Sequence, residues 1–367
     1  MNNFRYYLPT EVLGGRGCVR IHADKWCLGH KALIVTGHAS AQTSGALDDV
    51  VGVLTERGIA YTLFDGISAN PDDAQVYAGA AAAAGCDFII AIGGGSPLDA
   101  AKSIAWVVAS NIPQADFFQR APKAEDAVLP IVAIPLTCGT GSEVTPYSII
   151  TNHAAKTKTN VSCATFFPKV ALLDSRYLES LPQEVLCDTA LDALSHAIEG
   201  AYSPRANRMT LAMSEEAVRT IFPELTRMAH SAFVNLSQLQ YAAMLAGCVI
   251  AQTGTGLVHA MGYPLTYYKG LPHGRANGIL LAGYLERMEG PCAEITKRLI
   301  TAMGLEDFSE LQALVDALLD LTGADREAPT EEELARFALE PLRLSAVKRY
   351  RTMHSPEEIV DIYRTGF

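Results

Sequence analysis

Four short apolar runs mark the first half of the chain: residues 31–36, 60–64, 87–92 and 129–134. Each has strand length and is bounded by Gly, Pro or polar residues. Between them, residues 43–57 carry apolar side chains at 46, 50, 53 and 54, and residues 71–84 and 97–109 are also helix-like. Residues 1–20 hold aromatic and β-branched runs broken by Pro9 and Gly14-Gly15, which predict an opening strand or hairpin. Residues 169–174 add a further strand. Strands that are apolar throughout, alternating with helices, predict a parallel sheet covered on both faces. Beyond about residue 180 the pattern changes. Residues 182–200, 208–229, 234–252, 256–265, 276–288 and 293–303 read as helix, and strand signals nearly vanish. The expected architecture is an α/β domain over residues 1–177 with a Rossmann-like parallel sheet, then an all-α domain over 178–367. No low-complexity linker separates them, so close packing with a cleft is expected.

Sheets of this kind bind ligands at the carboxyl ends of their strands. Those ends are Gly37, the loop Gly93-Gly94-Gly95-Ser96 and the loop Thr137-Cys-Gly-Thr-Gly-Ser142, all built of small residues. Three glycines let the backbone approach a ligand and aim successive N–H groups at it. Pro97 fits the first turn of the following helix, whose dipole then faces the same point. The spacing is neither a Walker A loop nor Gly-x-Gly-x-x-Gly. Two such loops together favour a dinucleotide over an empty turn.

The second half carries a different chemistry. Residues 186–202 lack Pro or Gly until Gly200 and read as helix, so Asp192 and His196 lie one turn apart on one face. His259 and His273 follow, each beside Gly and Pro. One carboxylate oxygen and three imidazoles suit Fe(II), zinc or a related first-row metal.

Composition narrows the partners. A formal net charge of −11 repels nucleic acid and anionic membranes, so neither is expected as a partner. Eight scattered cysteines without a Cys-x-x-Cys pair read as reduced thiols. No signal-peptide core and no run near the ~20 apolar residues of a membrane span appear, which makes a cytoplasmic location the expectation.

The motifs at 93–102, 135–145 and 192–199, with the two later histidine segments, resemble the iron-dependent (group III) alcohol dehydrogenase family, in order and over essentially the whole chain. The resemblance implies a dinucleotide-binding α/β domain and an all-helical metal domain, a dehydroquinate synthase-like architecture. It implies Asp192, His196, His259 and His273 as ligands of one Fe(II), with zinc possible, and a hydride passed between NAD(P)(H) and a small alcohol or aldehyde. It also implies Gly94, Gly95, Ser96 and Asp99 in the pyrophosphate loop and Thr137, Thr140 and Ser142 in a second cofactor loop. Lys158 matches a nicotinamide-ribose contact and Leu181 an apolar cofactor contact. Relatives are commonly dimers, so a homodimer is expected.

Two positions depart from the family pattern. NAD-preferring members carry an acidic residue after the first strand; here Gly37, His38, Ala39 and Ser40 stand there. Gly37, His38 and Ser40 therefore make room for a 2′-phosphate and favour NADP(H), with NAD(H) possible. Tyr263 replaces a histidine common in relatives and would not titrate near neutrality. His273 and Tyr263 are the candidate catalytic residues. The nearest rival is a glycerol dehydrogenase-like zinc polyol dehydrogenase, against which the four-donor set argues.

Overall fold

The computed structural model describes residues 4–155, 157–323, 327–344, 347 and 354–367. The chain divides into two compact units. One comprises Leu8–Thr137 and Gly141–Leu181. The other comprises Pro182–Phe367 together with Cys138–Thr140 and the N-terminal residues up to Tyr7. The division thus falls a few residues beyond position 177, and the middle of the second small-residue loop belongs to the helical unit.

The α/β unit contains strands β1 (Glu11–Gly14), β2 (Lys31–Gly37), β3 (Ala60–Ile67), β4 (Phe88–Gly93), β5 (Ile131–Pro135), β6 (Tyr147–Asn152), β7 (Thr157–Ser162) and β8 (Val170–Leu173). Six form one sheet in the order β1-β8-β5-β4-β2-β3, with every pairing parallel. The central strand β4 is buried along its whole length. Ile89 and Ala91 pack with Ile104 and Trp106 of the Gly95–Ser110 helix on one face. Phe88, Ile90 and Ile92 pack with Val50, Leu54 and Trp26 on the other. Burial on both faces is why the strand reads as an unbroken apolar run, and each such large side chain contributes roughly 1.5–3 kcal/mol. The chain leaves β2 for β3 on one side, then places β4 on the other. The switch point therefore lies between the ends of β2 and β4, at Gly37 and Gly93.

Several local expectations are corrected. The opening segment takes the strand alternative, with no hairpin among the described residues: β1 pairs in parallel with β8, and Gly15 and Gly17, both at positive φ, turn the chain into the short Cys18–Ile21 helix. The helix expected over 43–57 is two, Ser40–Thr43 and Ala46–Glu56. The one expected over 276–288 is likewise two, His273–Ile279 and Leu281–Met288. The antiparallel hairpin β6–β7 was not anticipated. Its second strand, Thr-Lys-Thr-Asn-Val-Ser, is mostly polar and only partly buried, so it carries no core signal.

In the other unit every described regular element is helical. The Gln183–Tyr202 helix is buried continuously from Ala190 to Tyr202, as befits the centre of a helical cluster. Around it pack Arg208–Ala229, Leu236–Thr253 and His273–Ile279. The last approaches so closely that a Cβ on Gly274 would lie 1.9 Å from the Asp188 carbonyl oxygen, so only glycine fits there. Tyr7 joins this unit through its N–H to Gln252 Oε1 at 3.0 Å and its carbonyl to Gln252 Nε2 at 2.8 Å. Among the described residues no single helix is long and apolar enough to cross a membrane.

Candidate metal and cofactor sites

Asp192 and His196 project from the same face of the Gln183–Tyr202 helix, and both are buried. His259 comes from the Leu257–Lys269 helix, and His273 is the first residue of the His273–Ile279 helix. All three imidazoles turn toward one oxygen. The Nε2 atoms of His196, His259 and His273 lie 3.9, 3.6 and 3.9 Å from Asp192 Oδ1. Donor atoms set tetrahedrally about one ion at about 2.1 Å would stand roughly 3.4 Å apart, close to these spacings. Donors of Asp192, His196 and His259 all fall within 4.8 Å of one another. His273 stands outside that trio, its Nε2 3.9 Å from Asp192 Oδ1 and its side chain 28% exposed. His259 Nε2 is buried with no hydrogen-bond partner among the described residues, a costly state for a polar atom. This donor chemistry and the orphaned nitrogen fit a divalent metal.

Electrostatics agrees. Burial alone would raise the Asp192 carboxyl, yet the three imidazoles hold it well below the usual carboxylate range. Burial alone would lower His259, yet Glu199 and Asp192 raise it to about 9. His196 is pushed down, chiefly by burial. The two carboxylates draw positive charge to this point.

Sequence reasoning missed the residues that hydrogen-bond these side chains. Glu199 is fully buried; one of its oxygens accepts from His259 Nδ1 and the other from the Val258 N–H at 2.6 Å. Its position seven residues after Asp192, on the same helical face, was the available signal. Gly139 offers its carbonyl to His196 Nδ1 at 3.2 Å. Asn277, also fully buried, places Nδ2 3.0 Å from Asp192 Oδ1 and 3.3 Å from His273 Nε2. Arg275 forks onto Asp188, Nε to Oδ1 at 2.9 Å and a terminal nitrogen to Oδ2 at 3.1 Å, tying the His273 helix to the Asp192 helix. Tyr263 stacks on His273, ring centroids 5.7 Å apart and 14° from parallel.

In the α/β unit the glycine loop lies at the switch point. A Cβ on Gly93 would sit 2.5 Å from Pro97 Cγ, so the turn into the Gly95–Ser110 helix requires glycine. Gly94 is the helix N-cap, without a side chain to cap it, which leaves the first N–H groups open to an anion. Ser96 Oγ accepts the Asn70 N–H at 3.2 Å. The side chains of Asp99 and Ser142 turn inward. Asp99 accepts from Ser142 Oγ at 2.5 Å and from the Ile149 N–H at 2.9 Å. Fully buried Lys102 bonds Ser142 Oγ at 2.6 Å and the Tyr147 carbonyl at 2.7 Å. Burial pushes Lys102 down to about 8, against the pull of Asp99 and Glu143, and pushes Glu143 up to about 7. This network joins the glycine loop to Ser142 and to the hairpin that carries Lys158.

Of the other candidates, Thr137 and Ser142 lie in the α/β unit and Thr140 in the helical one. His38 and Ser40 are exposed after β2. A Cβ on Gly37 would stand 3.3 Å from the Ile67 carbonyl. Leu181, half-buried, closes the α/β unit.

Residues 9–175 match the iron-containing alcohol dehydrogenase family, and residues 186–365 match its C-terminal counterpart, the Fe-containing alcohol dehydrogenase family. The 1,3-propanediol dehydrogenase of Klebsiella pneumoniae is 35% identical over 288 residues, covering 76% of this chain and 73% of its own. The NADPH-dependent butanol dehydrogenase of Clostridium saccharobutylicum is 30% identical over 331 residues, covering 86% and 82%. A crystal structure of an iron-containing alcohol dehydrogenase from Thermotoga maritima superposes with a TM-score of 0.88 at 33% identity, covering 99% of each chain. The protein therefore belongs to the iron-containing alcohol dehydrogenases, metal-dependent oxidoreductases that transfer a hydride between NAD(P)(H) and a small alcohol or aldehyde.

Proposed function

We propose that Asp192, His196, His259 and His273 hold a single Fe(II), with zinc as the competing ion, and that the substrate is a short-chain alcohol or its aldehyde. One observation carries this reading: three imidazole Nε2 atoms stand 3.6–3.9 Å from one carboxylate oxygen. The propanediol and butanol named for two relatives set the substrate scale. When bound, the metal supplies Lewis acidity toward the substrate oxygen and the dinucleotide supplies or accepts the hydride. The α/β unit serves the dinucleotide and the helical unit the metal.

The chain's own part is placement. The backbone of Gly94, Gly95 and Ser96, at a helix N-terminus, receives the pyrophosphate, joined by Thr137 and Thr140. Asp99 and Ser142 act through the loops they brace, since their side chains bond each other. Lys158 and Leu181 are assigned to the nicotinamide end. Gly139 holds His196 by its ring Nδ1. Among the described residues of the motifs none stands out as a dedicated general base. Screening alcohols and aldehydes of two to six carbons anaerobically, after reconstitution with Fe(II) and separately with zinc, tests the reading. Lack of turnover by both metal-loaded forms would sink it.

Gly37, His38 and Ser40 support NADP(H): positions 37–40 carry no acidic residue to repel a 2′-phosphate, and His38 and Ser40 are exposed donors. We expect kcat/KM for NADPH to exceed that for NADH by at least about tenfold, the equivalent of ~1.4 kcal/mol. An NADH preference would reverse the assignment. Tyr263→Phe keeps the ring that stacks on His273 and removes only the hydroxyl. Its kcat should stay within about threefold of the parent, with the same pH profile; a loss beyond about tenfold, the range of general acid–base effects, would place the hydroxyl on the proton path.

A further inference from the structure

We propose that Glu199 is the positioning residue of the metal site: it fixes the His259 ring with Nε2 turned to the cation and supplies the second negative charge that matches the site to a divalent ion. The proposal rests on the four-donor reading above and deepens it.

The orientation follows from hydrogen bonding. A carboxylate only accepts, so the proton between Glu199 and His259 belongs to the imidazole Nδ1. Acting as a ligand, the ring then offers its lone pair from Nε2, the atom left without a partner and 3.6 Å from Asp192 Oδ1. Glu199 is itself held, because its other oxygen takes the Val258 N–H at 2.6 Å, one residue before the ligand it orients. Ring, tautomer and backbone are thereby set by one side chain. A carboxylate behind a metal-binding histidine also raises the basicity of the ring.

Charge points the same way. Asp188 nearby is neutralised by its own Arg275 fork. Asp192 and Glu199 remain, with three imidazoles that carry no formal charge when they act as ligands. Two buried negative charges are balanced by one divalent cation, whereas a monovalent ion leaves one unmatched in a medium where isolated charge is expensive.

The test is zinc affinity of the metal-free full-length protein without dinucleotide, measured by competition with a chromophoric chelator. Glu199→Gln keeps the volume and an acceptor but removes the charge. It should bind one zinc per chain with a dissociation constant about 10- to 100-fold higher than the parent. Its metal-free form should keep the parent's circular dichroism spectrum. An affinity within threefold of the parent overturns the proposal, and so does a changed metal-free spectrum accompanying the weaker binding. Should the variant not fold, the ring nitrogens of His259 in the zinc-loaded parent decide by NMR. A proton on Nδ1 supports the assignment, and one on Nε2 refutes it. The four-donor reading fails separately, if the parent takes up no zinc or if Asp192→Ala takes it up equally well.

Discussion

Replacing His259 with alanine is expected to leave a protein that binds NADP(H) yet carries almost no metal and almost no activity. The side chain contributes one of three nitrogens facing Asp192 Oδ1, and its own Nε2 has no other hydrogen-bond partner among the described residues. Lewis-acid stabilisation of charge on a reacting oxygen is worth several kcal/mol, so kcat/KM should fall by at least about a thousandfold. The glycine loops are built from other residues, at 93–96 and 137–142, and dinucleotide binding should persist within a few-fold. Metal analysis by mass spectrometry, with a fluorescence titration of NADPH, separates the two effects. A metal-free variant that still turns over would remove the metal from the reaction.

The largest loss of stability is expected from Asp188→Ala. Asp188 and Arg275 form a two-bond ion pair whose side chains are 10% and 9% exposed, joining the Asp192 helix to the His273 helix. Removing only the carboxylate strands a guanidinium in the interior, which costs about 3–5 kcal/mol. Replacing both partners with apolar side chains should recover much of it, because the penalty comes chiefly from the charge left alone. Urea unfolding of the metal-free protein, following the transition of the helical unit, provides the measurement. A loss below about 1 kcal/mol, typical of exposed pairs, would show that this contact does not lock the helices. The same variant should weaken zinc binding, since His273 opens the helix that carries Arg275.

How far the chain could be read without coordinates depended on the reach of each signal. The α/β and helical halves were legible, because β2, β4 and β5 are buried on both faces and their apolar runs cannot be mistaken. The polar hairpin strand β7 has no such signature and stayed invisible. Asp192 and His196 could be paired from their four-residue spacing alone, since helical periodicity is a local property. His259 and His273 could be nominated by type and setting, but no periodicity spans the 67 and 81 positions separating them from Asp192.

The amino-acid sequence by itself thus determined the layering of the α/β half, the small-residue loops at its strand ends and the one-turn pairing of two candidate ligands. Only the tertiary structure decided which of Asp99's neighbours its carboxylate would meet, that Glu199 rather than solvent stands behind His259, and that Asn277 reaches Asp192. The reason is one of distance along the chain. Pattern and propensity act over a few residues, whereas the orientation of a buried polar group is set by helices that meet only when close packing at Gly274 and the Asp188–Arg275 pair brings them together.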